Sequence, residues 1–180
     1  YTADNWPIAA KMNFGNKADD GTPLAEAPAS VWENHIRQVA SVGFKAIDPI
    51  DDWIMIGELR EERFSELKRI LDAYELKVPA VSFGRHSPVD KASGEEHMQM
   101  MHRGLDRAAE LGAEVLNVGF MQPLTEKQKK AMWFWHVQGH VDDPELRPLA
   151  IERIRELADH ANRNGMKVSL EIYEDTYMLS

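Results

Sequence analysis

A short apolar run, Val168-Ser169-Leu170, leads directly into a carboxylate, Glu171, and two further acids follow in Ile172-Tyr173-Glu174-Asp175-Thr176. The run reads as a buried strand. In parallel α/β proteins the chemistry sits at the carboxyl ends of strands. A carboxylate placed there can bind a hard divalent cation through oxygen or serve as a base. The competing reading is a strand-end Glu paired with a neighbouring Lys or Arg. Glu174 and Asp175 can add a second carboxylate for proton transfer or substrate contact, or can lie in a solvated loop.

Other strand ends carry candidates too. Val42-Gly43-Phe44-Lys45-Ala46-Ile47 ends in Asp48, with Asp51 and Asp52 close behind. Such a cluster can hold substrate hydroxyls or a metal, and Asx-type turns explain the same residues. A third run ends Ser82-Phe83-Gly84-Arg85-His86, which puts the His86 imidazole where a substrate would be touched. The densest unusual cluster is Met132-Trp133-Phe134-Trp135-His136-Val137-Gln138-Gly139-His140. Its aromatic faces suit sugar rings, so Trp135 and His136 are candidate substrate contacts and His140 a candidate proton-transfer residue. His136 and His140 also have the spacing that sets two metal ligands on one helix face, although Gly139 weakens that helix. A lid packed on the domain or on a partner subunit would use the same residues. His35, His97, His102 and His160 fall on outer helices and read as surface residues, and Met98, Met100 and Met101 read as core.

These residues need a scaffold, and one pattern recurs: an amphipathic helix, a short turn, then an apolar strand. The junctions are at Gly43, at Tyr74-Glu75-Leu76, at Gly112 and at Asn164-Gly165. Residues just past a helix that tolerate the left-handed conformation end it cheaply. The stripes Ile36, Val39, Ala40; Phe64, Leu67, Leu71, Tyr74; Met98, Met101, Leu105, Ala108; and Ile151, Ile154, Leu157, Ala161 predict one buried face per helix. Capping boxes are predicted at Ser30 to Glu33, Ser93 to Glu96 and Thr125 to Gln128. With an opening strand at residues 7–12, the pattern is βα repeated, closing on a fifth strand. Near-continuous apolar strands imply a parallel sheet covered on its faces. Two long connections, 13–29 and 120–143, follow strand carboxyl ends and are expected to be functional.

At roughly 35 residues per βα unit, eight units would need about 280 residues, the size of an eightfold barrel. A five-stranded doubly wound sheet is the alternative, but it needs a helix over its last strand, and none follows Leu170. The expectation is an α/β fold, a (β/α)8 TIM barrel of which about the first five βα units are present, with residues 1–180 a single domain forming the N-terminal part.

Of the 180 residues, 43% are hydrophobic and 28% charged, an ordinary globular composition, with a net charge of -9. An acidic chain is a poor partner for nucleic acid or for an anionic membrane. No apolar run nears the roughly 20 residues that span a bilayer. The chain has no cysteine, which removes disulfides and thiolate metal sites and fits a cytoplasmic location. No Gly-rich nucleotide loop, GxSxG or HExxH occurs, so nucleotide-dependent and serine-hydrolase functions have no support.

Asn164-Gly165-Met166-Lys167-Val168-Ser169-Leu170-Glu171, with the helix before it, resembles the fifth strand of the xylose-isomerase-like TIM barrels, and Val42 to Asp48 is similar to their second strand. That group includes sugar isomerases and epimerases, inosose dehydratases and type IV AP endonucleases. The resemblance implies that Glu171 ligates a divalent metal ion, Mn²⁺ first or Mg²⁺, with the remaining ligands on strands six to eight. It implies an enzyme that abstracts a proton next to a carbonyl, as an isomerase or epimerase. The AP-endonuclease pattern is not matched, because Gly119-Phe120 stands where its second metal-binding histidine would be. A narrower resemblance, carried by Met132 to His140 and Glu171 to Thr176, is to the α subunits of bacterial C-glycoside deglycosidases. It implies a lyase that eliminates an aglycone from a 3-oxo sugar and pairs with a small second subunit. The expected partners are a sugar or glycoside substrate and an oligomeric assembly. A non-catalytic sugar-binding or scaffold barrel is the remaining alternative.

Overall fold

Apolar stripes and left-handed turns are realised as alternating strands and helices in a computed structural model, which describes residues 8–131, 137, 139, 143–172 and 176. In chain order these are β1 (Ala10–Lys11), α1 (Ala29–Ser41), β2 (Ile47–Asp48), a 3₁₀ turn (Ile56–Glu58), α2 (Glu61–Ala73), β3 (Ala80–His86), α3 (Gly94–Glu110), β4 (Val115–Phe120), α4 (Glu126–Lys130), α5 (Leu146–Arg163) and β5 (Lys167–Leu170).

Every pairing between named strands is parallel. β1 pairs β2 through Ala10 and Ile47. β3 pairs β4, and β4 pairs β5. Parallel bridges Ala46 to Lys77 and Ile50 to Ser82 join the β2 region to β3. The lateral order is therefore 1-2-3-4-5, with no reversal. Doubly wound sheets reverse their order at a switch point, so the sequential order selects a barrel segment. Val81, Phe83, Leu116 and Val118 are buried in one core with the inner stripes of α1, α2, α3 and α5. Ser82, Asn117 and Ser169 stand in register on the opposite, barrel-interior face.

Each helix must be reversed before the next strand can start. Gly43, Gly112 and Gly165 do this at φ of 98°, 79° and 71°, and Glu75 takes the same region at 54°. Tyr74-Glu75-Leu76 thus follows the rule with an unfavoured residue, held by its N–H to Asp72 O at 3.1 Å.

Three sequence expectations change. Of the three capping boxes, only Thr125 to Gln128 has both arms. Pro28 starts α1 before Ser30, which then lies inside the helix. The Asp90 carboxylate accepts from the backbone N–H groups of Ala92 and Ser93 and from the Ser93 hydroxyl, and this Asx turn draws the hydroxyl away from α3. Ile151 is 44% exposed, because α5 turns Ala150, Leu157 and Ala161 inward instead. The loop between β1 and α1 is packed: Leu24 and Ala27 are fully buried, and the Trp32 indole N–H donates to Leu24 O at 2.7 Å.

α3 approaches β3 closely at Gly104, where a Cβ would lie 1.8 Å from Cζ of buried Phe83. Gly57 of the 3₁₀ turn also sits against Gly104 backbone. Gly104→Ala must displace an aromatic ring on β3, so a loss of at least about 1–3 kcal/mol is expected in urea unfolding. A variant as stable as the parent would show that Phe83 has room to move.

Candidate functional site

The carboxyl ends of the strands hold the titratable groups. At the end of β2 both oxygens of Asp48 are taken by Ser82 of β3: Oδ1 accepts from its backbone N–H at 2.8 Å and Oδ2 from its hydroxyl at 2.6 Å. Burial pushes the Asp48 carboxyl above its ordinary value of 3.8, against the pull of the Ser82 hydrogen bonds and of Lys11.

Asp51, just past β2, is 6% exposed. Its Oδ2 accepts from Gly84 N–H at 2.9 Å and meets His86 Nε2 at 2.7 Å. The register between β3 and β4 slips between Phe83 and Arg85, so Gly84 is the extra residue of a bulge. A Cβ on Gly84 would lie 3.0 Å from Asp51 Oδ1. The bulge and the missing side chain together let a buried carboxylate reach both the backbone and the imidazole.

An ionised carboxylate can only accept, so the proton lies on His86 Nε2 and Nδ1 is its other ring nitrogen. No described residue is hydrogen-bonded to that Nδ1. The ring leans on His97 at 4.9 Å, and His97 Nδ1 donates to Ser87 O at 2.9 Å. Among the described residues, neither Asp51 Oδ1 nor Ser87 Oγ has a partner.

Glu171 follows β5 directly, and its N–H donates to Val118 O at 3.0 Å. By strand alternation it shares the interior face of Ser169. Its side chain is exposed, and no described residue pairs with it. One hard oxygen donor in that position fits a divalent cation as a single ligand. Among the described residues, no group of three or more His, Asp or Glu could hold a metal ion.

The structure thus brings His86 together with Asp51, which sequence reading grouped with Asp48 and Asp52 as an acidic cluster. Glu171 lies two strands from His86 in the sheet order and makes no hydrogen bond to it. Trp135, His136, His140 and Glu174 lie outside the described residues. The four helix histidines, expected on the surface, are half-buried and partnered. His35 stacks on Phe14 at 4.2 Å and accepts from Trp53 Nε1–H at 3.1 Å, and burial holds its pKa down.

The model of the xylose isomerase-like TIM barrel family matches residues 36–179. A protein of this description from Mycobacterium smegmatis, solved in complex with magnesium, is 50% identical, with a TM-score of 0.88; the match covers 100% of this chain and 59% of that one. A D-allulose 3-epimerase from Methylomonas sp. is 14% identical with a TM-score of 0.65, over 94% of this chain and 52% of that one. A 3-keto-D-glucoside 4-epimerase from E. coli is 15% identical with a TM-score of 0.64, over 96% and 58%. The two epimerases share the fold, and this chain spans less than two thirds of each of the three proteins. No curated protein matches the sequence. The chain belongs to the xylose isomerase-like TIM barrel family.

Proposed function

We propose that this chain carries part of the active site of a divalent-metal-dependent sugar isomerase or epimerase that removes a proton next to a carbonyl. The observation that carries this reading is Glu171: an exposed carboxylate with no partner among the described residues, at the carboxyl end of β5, on the interior face of a xylose isomerase-like barrel. It is supported by a relative half identical to this chain that was solved with magnesium. Glu171 is one metal ligand; its oxygen suits Mn²⁺, the preferred ion, and Mg²⁺ alike. The ion would polarise substrate oxygens and stabilise the negative charge that develops on them.

The other carboxylates have different work. Asp48 is occupied by Ser82 and shapes the interior. Asp51 is a positioning residue that holds the His86 proton on Nε2 and leaves Nδ1 for a substrate hydroxyl. His140 is proposed to move the proton, with Trp135, His136 and Glu174 contacting the sugar. The substrate is a small sugar or glycoside and the working state an oligomer. Elimination from a 3-oxo sugar would begin with the same proton abstraction.

In the full-length protein Glu171→Gln should lose the bound divalent ion, measured by elemental analysis. It should also lose solvent deuterium exchange at the carbon beside the carbonyl of a ketose. Unchanged metal content and exchange would reject Glu171 as a ligand.

Asp51→Asn keeps the shape and removes the charge. Turnover should fall roughly a hundredfold, in the range of general acid–base contributions, with little change in Tm. An unchanged rate would remove the Asp51–His86 pair from the chemistry.

Asp48 is testable through pH. Its folded pKa lies above the unfolded value near 3.8, so between the two the native state binds more protons. Stability from this group therefore falls as pH rises through that window and is level above it. Relative to Asp48→Asn, the parent should be most favoured at the acid end and lose that advantage as pH climbs past 3.8. A pH-independent difference in urea unfolding would contradict burial as the dominant cause.

A further inference from the structure

On the outside of the barrel, α3 and α5 face each other through two histidines. His102 Nδ1 lies 2.7 Å from His160 Nδ1. The opposite nitrogens meet carboxylates: His102 Nε2 is 2.9 Å from Glu156 Oε1, and His160 Nε2 is 2.7 Å from Asp106 Oδ1. The imidazoles are 23% and 17% exposed and the carboxylates more than half exposed.

Proton counting decides what this cluster is. An ionised carboxylate only accepts, so both Nε2 atoms carry hydrogen. With no further proton, the two Nδ1 lone pairs would oppose each other. With two, a pair of N–H groups and two cations would collide. One proton between the Nδ1 atoms makes an N–H···N hydrogen bond at the observed distance. The pair therefore holds three ring protons and one shared positive charge.

The surroundings favour that charge. Asp106 on α3 and Glu156 on α5 face it, and no described Lys or Arg pairs with either. Asn164, just past α5, donates to Asp106 at 3.5 Å. Three nearby cations are engaged elsewhere, Arg103 with Glu58, Arg107 with Glu61 and Glu110, and Arg153 with Glu95, while Arg163 shares the last turn of α5 with His160. His160 lies in the last turn of α5, where the helix dipole favours a cation.

We propose that His102, His160, Asp106 and Glu156 form a proton-operated latch, which ties the C-terminal half of α5 to α3 while the histidine pair holds one shared proton and releases it at either side of that state. The N-terminal half of α5 is pinned independently by Arg153, which binds Glu95 and Pro88 O and keeps its charge across this range. The latch thus acts on the part of α5 that leads through Gly165 into β5.

The test uses the full-length protein. In ¹⁵N-histidine-labelled material at neutral pH, His102 and His160 should each show a protonated Nε2 and a partly protonated Nδ1. Tm should be followed from about pH 5 to about pH 9, the range over which histidine pairs titrate. The parent should exceed His102→Gln and His160→Gln by roughly 2–4 °C at its best pH, with the gap closing on both sides. A gap that is constant or changes in one direction overturns the latch. So do Nδ1 atoms that are both bare at neutral pH, a readout on the parent that needs no variant to fold.

Discussion

Parallel strands cannot be joined by a tight turn, so each must wait for a helix to carry the chain back. This constraint organises the molecule. Returns at the amino ends are a few residues around one left-handed position, at Gly43, Glu75, Gly112 and Gly165. Connections at the carboxyl ends are free to lengthen, as between β1 and α1 and between β4 and α5. Because strand order is sequential, Asp48, Asp51, His86 and Glu171 all fall on one rim. The same order sets Ser82, Asn117 and Ser169 side by side on the interior face.

Burying a carboxylate is costly unless its oxygens find donors. Asp48 meets that demand on both oxygens, through the backbone and hydroxyl of Ser82. Asp51 meets it on Oδ2 alone, through the backbone of Gly84 and the ring of His86, and no described residue donates to its Oδ1. Both are thereby fixed as parts of the β2–β3 joint. Glu171 stays exposed with no described partner. Among the described rim carboxylates, the difference between those held in the β2–β3 joint and Glu171 is one of hydrogen-bond supply.

The repeated helix-to-strand junctions, the buried stripes of α1 to α3 and the strand-end place of Glu171 were legible because they follow from local periodicity. Glu75 shows that the junction rule survives without glycine. Local rules failed where a neighbour competed: Pro28 took the start of α1 from Ser30, and Asp90 captured the Ser93 hydroxyl. Ile151 fitted the stripe of α5, and Leu157 and Ala161 of that stripe are buried, yet at the helix start Ala150 is turned inward and Ile151 stays exposed. The Asp51–His86 contact joins a turn residue past β2 to the end of β3 and depends on a one-residue bulge at Gly84, which no periodicity announces. The histidines of α3 and α5 do lie on outer helices, but helix spacing shows which face a residue occupies and not which neighbouring helix meets it, so their pairing has no sequence signal.

Two kinds of cation join α3 to α5, and they differ in what can switch them off. A guanidinium holds its proton throughout the biological pH range, so the Arg153 contacts define a fixed end. An imidazole pair that needs one proton between two nitrogens is satisfied over a bounded interval alone. The two joints are stacked along one helix, the fixed one towards its start and the variable one in its last turn. Past that turn the chain has a single left-handed residue, Gly165, before β5 pairs with β4 and presents Glu171. A change in how the end of α5 is held therefore has a short covalent route to the strand that carries the candidate ligand. The hydrogen bonds of β5 to β4, from Lys167 N to Glu114 O through Glu171 N to Val118 O, resist it. Those bonds are independent of pH, so the strand keeps its register while the helix above it is free to loosen.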